Sequence, residues 1–410
     1  MRISTATLFS EGVATMNQLQ VNLAKTQTQI STGRRILNPA DDPAAAARAT
    51  ELNQADAANT QYAANRTAAV NTLSLSESIL GSVTSLLQDA QALTVQAGNA
   101  TLNVSDLRSI ATDLNGRLQE LIGLANSTDG TGNFLFSGAQ GRIQPFVETG
   151  AGVSYQGDDV QRLIQAAPSR QIAGTDSGAD IFMRIKNGNG TFQAAPNAAN
   201  TGSGTISQGR VLDATQYAAN QYQVTFSVVA GVTTYDVADV TAGLPGTAVL
   251  AAQPYVSGQA ISFNGIQFEI QGAPAAGDTF DINPSSNQSM FDTLSSLIGT
   301  LNAAPAPAAG DAVATAAFQQ GLQQSLGALD QDLNKVLGVR ATVGGRLREL
   351  DALQSTGEDL GLQYKQTLSR IQDTDYLQAI SQLNQQQLTL QAAQQSFAKI
   401  SQLSLFDFLR

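Results

Sequence analysis

The chain has 410 residues, of which 13% are charged, and its 22 Lys and Arg against 33 Asp and Glu leave a net charge of -11. An acidic chain is a poor partner for nucleic acid, whose binding depends on phosphate neutralisation. The absence of His, Cys and Trp removes imidazole bases, thiolate nucleophiles, disulfides and the usual zinc sites together, and the length predicts two or three domains.

After Met1-Arg2, the stretch ISTATLFSEGVATMNQLQ has no continuous apolar core, and no run of about 18 apolar residues occurs anywhere. Neither a secretory signal peptide nor a membrane span is expected. From Thr5 to Gly33, Phe9, Met16, Leu23 and Ile30 recur every seven positions with Leu19 beside them, which predicts a helix with one narrow apolar stripe. Only Glu11 and Lys25 carry charge in it, so its other faces are neutral and polar.

The segment ISTGRRILNPADDPAAAARA, residues 30 to 49, sets Asp41-Asp42 between two prolines. An acid/base or metal pair would need a cleft and a second perturbed group. The spacing fits helix punctuation instead: Pro39 stops one helix, Asp42 caps the next, and Pro43 takes its first position, where a missing N–H costs nothing.

The second helix is expected from Pro43 to about Asn99, with Leu52, Tyr62, Leu73, Leu80 and Leu87 in heptad phase, a length of about 80 Å at ~1.5 Å per residue. Ser105 or Asp106 is expected to cap a third helix ending near Asn126. Residues 138 to 285 are rich in Gly, Thr, Val and turn dipeptides and read as β structure. Val153–Tyr155 is expected to pair with Arg162–Ile164 across QGDD. Further strands are expected at Tyr222 to Val229, Thr233 to Val237, and a hairpin of Ala260–Phe263 with Ile266–Ile270 around Asn264-Gly265.

Helical pattern returns in SSNQSMFDTLSSLIGTLN and then runs from Leu322 to Ile371 in steps of four and three, through Leu326, Leu329, Leu333, Val336, Arg340, Val343, Leu347 and Leu350. At Asp373-Thr374-Asp375 the phase slips, and Tyr376, Leu383, Leu390 and Phe397 begin a new heptad in which Lys399 is the only charge before Asp407. The last helix thus mirrors the first.

The predicted fold class is α+β: a long antiparallel α-helical coiled-coil rod formed by the N- and C-terminal segments, with an inserted all-β domain. Its expected parts are a terminal assembly domain of residues 1–40 with 375–410, a rod of 41–137 with 286–374, and the insertion 138–285. Neutral polar helix faces can be buried and hydrogen-bonded without the desolvation cost of charges, so the two end helices are expected to meet when copies of the chain assemble. The predicted interface is Phe9, Met16, Leu23, Ile30, Tyr376, Leu383, Leu390 and Phe397.

GTGNFLFSG and GVRATVGGR lack the phosphate-loop pattern and are expected to be a loop and a small-residue packing site. DTD and GDDV lie in no twelve-residue calcium loop. No catalytic, cofactor-binding or metal-binding residue is predicted.

MRIST, QISTGRRILNPADDP at 29 to 43, GNFLFSG at 132 to 138, YQGDD at 155 to 159, GDTFDINPS at 277 to 285, LSRIQDTDY and the closing LSLFDFL together resemble the flagellar hook-associated protein 3 family. The resemblance spans essentially the whole chain, with residues 187 to 255 matching no family motif. It implies a non-enzymatic structural protein of the bacterial flagellum, placed as a ring-like layer between hook-associated protein 1 and the flagellin filament. It further implies contacts with other copies of itself, a flagellar type III export chaperone, an extracellular location reached through the export channel, and no nucleic-acid or membrane partner. The alternatives are a filament flagellin, or a glycan-binding or hydrolytic β module using Asp158, Asp159 or Asp278 as carboxylates.

Overall fold

The computed structural model describes residues 5–99, 101–150, 152–305 and 311–408, with the backbone alone at 5, 6, 8 and 400–408. The sequence motifs MRIST and LSLFDFL therefore lie in part outside the described residues. Two compact units make up the chain, residues 1–65 with 352–410 and residues 66–351.

The first unit contains α1 (Thr5–Thr32), the start of α2 (Pro43–Ala97), the end of α5 (Ala312–Gln372) and α6 (Tyr376–Phe408). Helix α1 packs on α6. Their inner ends are tied by backbone pairing: Arg35 N–H donates to Gln372 O at 2.7 Å and Thr374 N–H to Gly33 O at 2.9 Å. The phase slip at 373–375 is thus a real break, and Asp375 caps the new helix by accepting from the N–H groups of Leu377 and Gln378.

Asp41 and Asp42 have separate tasks. Ala45 N–H donates to Asp42 Oδ1 at 3.0 Å, with Pro43 the first helical residue. Asp41 instead folds the preceding loop, accepting from Leu37 and Asn38 N–H and from Lys25 Nζ at 2.7 Å. The bond from Lys25, with that from Asn38, holds the Asp41 carboxyl below the usual carboxylate range.

In the second unit, α3 (Val104–Ala125) and α4 (Met290–Asn302) pack beside the long helices. Asn103, rather than Ser105 or Asp106, caps α3: its side chain accepts from Asp106 N–H while Asp106 accepts from Asn103 N–H, a reciprocal box that satisfies two end groups at once. The core here includes Leu80, Val83 and Leu87 of α2, Leu114 and Leu121 of α3, Leu294 and Leu297 of α4, and Leu329 and Val336 of α5.

The strands are β1 (Phe146–Thr149), β2 (Gly152–Tyr155), β3 (Leu163–Ala167), β4 (Arg170–Ala173), β5 (Ile185–Lys186), β6 (Phe192–Pro196), β7 (Thr205–Ile206), β8 (Arg210–Val211), β9 (Tyr222–Val229), β10 (Val232–Asp239), β11 (Thr247–Pro254), β12 (Ala260–Phe263), β13 (Ile266–Gln271), β14 (Thr279–Pro284) and β15 (Asn287–Gln288). The larger sheet is antiparallel in the order β11-β10-β9-β14-β6; the smaller joins β12, β13 and β7, with β8 also on β13. Residues 187 to 255 supply much of both sheets. Alternation in β9 and β13 points Tyr222, Val224, Phe226, Ile266, Phe268 and Ile270 inward, giving these sheets a core of their own. Asn264 and Gly265, both at positive φ, make the two-residue turn of the expected hairpin.

Other sequence expectations are corrected. Val153–Tyr155 pairs with Phe146–Thr149, and Leu163–Ala167 pairs with Arg170–Ala173. The intervening GDD does not form a hairpin turn because its carboxylates bond elsewhere. In the α5 seam the residues alternating with buried Leu322, Leu329, Val336 and Val343 are Ser325 and Asp332, while Leu326 and Leu333 are only half-buried. Gly338, Gly344 and Gly345 of GVRATVGGR have open space where a Cβ would stand, so no close neighbour requires their small size. Within the span 138–285, Phe146, Phe182 and Ile185 belong to the helical core beside Phe291.

Candidate assembly interface

The two stripes expected to meet between copies already meet within one chain. The rings of Phe9 and Phe397 lie 4.9 Å apart, and at the other end the Tyr376 hydroxyl lies 2.9 Å from where a Cβ on Gly33 would be. These anchors give an antiparallel register in which Leu390 falls level with Met16 and Leu19, and Leu383 with Leu23 and Thr26. Met16, Leu23, Ile30, Leu383, Leu390 and Phe397 are half-buried; Phe9 and Tyr376, at the two ends, are exposed.

Between them lie the alternate seam positions, which apolar counting missed because they are small or polar. Gly12 has no room for a Cβ, which would stand 2.8 Å from the Phe397 ring. Thr26 and Ala379 are buried, and Gln386 and Ala393 are half-buried. The signal was present as a second seven-residue spacing, 12-19-26 and 379-386-393. Thr26 satisfies its hydroxyl on Asn22 O at 3.1 Å.

Facing away from the seam, α6 exposes Leu377 at 85% and Leu388 at 69%, and α1 exposes Val21 at 60%. These apolar side chains stand uncovered on a helix pair that is nearly free of charge.

A second group of residues joins the motifs GNFLFSG and YQGDD. Tyr155 Oη bonds the carbonyls of Phe136 at 3.0 Å and Asp158 at 2.9 Å. Asp158 accepts from Ala139 and Val160 N–H, and a Cβ on Gly138 would stand 2.1 Å from the Asp158 carboxylate. The second carboxylate of the motif, Asp159, is held below the usual range by Arg184 and then Ser177. Phe136, Phe146 and Phe182 pack edge to face behind them. Asp278 is buried and accepts from Thr201, Gly202 and Ala275 N–H. Each carboxylate of the hydrolytic alternative is therefore a backbone tie or an ion-pair partner.

Among the described residues, no group of three His, Cys, Asp or Glu side chains is placed to hold a metal, and no helix is long and apolar enough to cross a membrane.

Residues 3–141 match the bacterial flagellin N-terminal helical region, and residues 195–284 match the D2-like domain of flagellar hook-associated protein 1. These matches mark a flagellar structural protein with a flagellin-like N-terminal region. The chain is 30% identical over 410 residues to flagellar hook-associated protein 3 of Salmonella typhimurium, covering 100% of both. Its fold is similar to that of hook-associated protein 3 from Legionella pneumophila, with a TM-score of 0.73, 31% identity and coverage of 78% of this chain and 98% of that one. FlgL of Xanthomonas campestris is similar at a TM-score of 0.70 and 32% identity, covering 78% of this chain and 99% of the other. The chain belongs to the flagellar hook-associated protein 3 family and is a component of the bacterial flagellum.

Proposed function

We propose that this chain is a non-enzymatic layer at the hook–filament boundary, contacting hook-associated protein 1 on one side and flagellin on the other. Copies assemble side by side through α1 and α6 into a ring-like layer, after export through the flagellar type III channel in the care of a chaperone. The observation that carries this reading is the terminal helix pair, whose inner stripes are closed on each other while Leu377, Leu388 and Val21 remain uncovered. Burying such apolar side chains against a neighbour stabilises association at about 25 cal/mol per Å² of area removed from water, before the costs of ordering.

Electron microscopy of gold-labelled chain on intact flagella tests the reading. One narrow band between hook and filament is expected, and cells lacking the chain should shed flagellin unpolymerised. Label spread along the filament would identify a filament flagellin instead.

A further inference from the structure

One ionisable side chain in the second unit has no part in the assembly surfaces. Asp332 occupies a seam position of α5, is 2% exposed, and leaves Oδ2 without a hydrogen-bond partner. Its contact is the hydroxyl of Thr293, in the first turns of α4. That hydroxyl also receives a bond from Gln288 Nε2 at 3.2 Å and gives its own proton to Ser289 O at 3.2 Å.

A hydroxyl has one proton to donate and two lone pairs. With its proton on Ser289, Thr293 gives the carboxylate little support, and Asp332 Oδ2 has no partner at all, so ionisation would leave a buried charge uncompensated. No compensating charge is at hand: Asp292 on α4, Lys186 on β5, Asp89 on α2, Asp113 and Arg117 on α3, and Asp330 and Lys335 on α5 make no ion pair with it among the described residues.

We propose that Asp332 is a proton-binding site that ties the stability of the second unit to pH, the neutral acid being tolerated in its buried place and loss of its proton to bulk water opposing the folded state. Burial pushes this carboxyl up to about 7 against the opposing bond from Thr293. A folded value above the ordinary 3.8 means that the stabilisation is full below about pH 4, is lost as pH rises through about 7, and is flat beyond. The chain contains no His, so the window from pH 5 to 8 is otherwise nearly silent.

The test is urea unfolding of the full chain at pH 5 and pH 8, for the wild type, Asp332→Asn and Thr293→Val. The wild-type folding constant should fall by roughly ten- to a hundred-fold between the two conditions, and Asp332→Asn should flatten that change while carrying the same amino terminus. Thr293→Val should shift the pH at which the fall occurs. Superimposable pH profiles for wild type and Asp332→Asn would overturn the proposal. If neither variant folds, proton uptake by the wild type on refolding near pH 6 decides: about one proton per chain is expected, and none would overturn it.

Discussion

Asn187 and Ser285 face each other at the base of the β insertion: the Ser285 hydroxyl donates to Asn187 O at 2.6 Å, and the next residue's N–H donates to Asn187 Oδ1 at 2.9 Å. The chain thus leaves and re-enters the helical core at one point. Residues 188–284 hold a separate apolar core, tied to α5 by Gln320, whose amide both accepts from and donates to the Ile206 backbone. Deleting 188–284 with a short linker should leave a folded helical protein that still joins the hook. Circular dichroism and motility check this, and a folded deletion that fails to join would place essential contacts in the insertion. Cutting back to residue 140 instead should fail, because it removes Phe146 and Phe182 from the helical core.

The N-cap at Asp42 gives a smaller effect. Asp42→Ala removes the acceptor for Ala45 N–H and should cost about 1 kcal/mol. Amide exchange at Ala45 should quicken, with assembly retained, since nothing chemical depends on this carboxylate. Unchanged exchange at Ala45 would show that the cap contributes nothing.

Gly178 tests how tightly the GNFLFSG region is packed. Its backbone is ordinary, with φ of -62°, so the requirement is space: a Cβ would stand 2.5 Å from Phe136 O and 2.8 Å from the Phe146 ring. Gly178→Ala should cost about 1–3 kcal/mol by overpacking, read as a lower thermal midpoint for the second unit. An unchanged midpoint would mean that Phe136 and Phe146 shift freely.

The legible parts of this fold are those in which a local pattern has one physical solution. Seven-residue spacing in 9-16-23-30 and 376-383-390-397 leaves only one face for a partner helix, Asp42-Pro43 fits only a helix start, and Asn264-Gly265 fits a tight hairpin. What was hidden depends on partners distant in sequence. β2 pairs back with β1 while Asp158 accepts from Ala139 N–H, nineteen residues earlier, and Asp332 is buried by helices far from it in sequence. Gly12 was missed for a different reason: its contribution is the room it leaves for Phe397, which no apolar count records.

The interior and the exterior of the terminal helix pair separate folding from assembly. Leu390 is half-buried in the α1–α6 seam, so Leu390→Glu places a carboxylate among Met16, Leu19 and the neighbouring seam residues. A fully dry site would make that cost several kcal/mol, and partial exposure reduces it to roughly 1–2 kcal/mol. The loss should stay local, because the second unit has its own core around Leu329 and Val336; α1 and α6 should exchange amide protons faster while the main thermal transition is unmoved. Leu377 is 85% exposed on the same helix, so Leu377→Glu should leave exchange and melting as they are. If the outward face binds a neighbouring copy, that variant should nevertheless shorten or abolish filaments on cells, as burial of an unpaired carboxylate opposes association. Normal filaments with Leu377→Glu would remove the residue from the assembly surface, and a collapsed melt with Leu390→Glu would make the seam part of the global core.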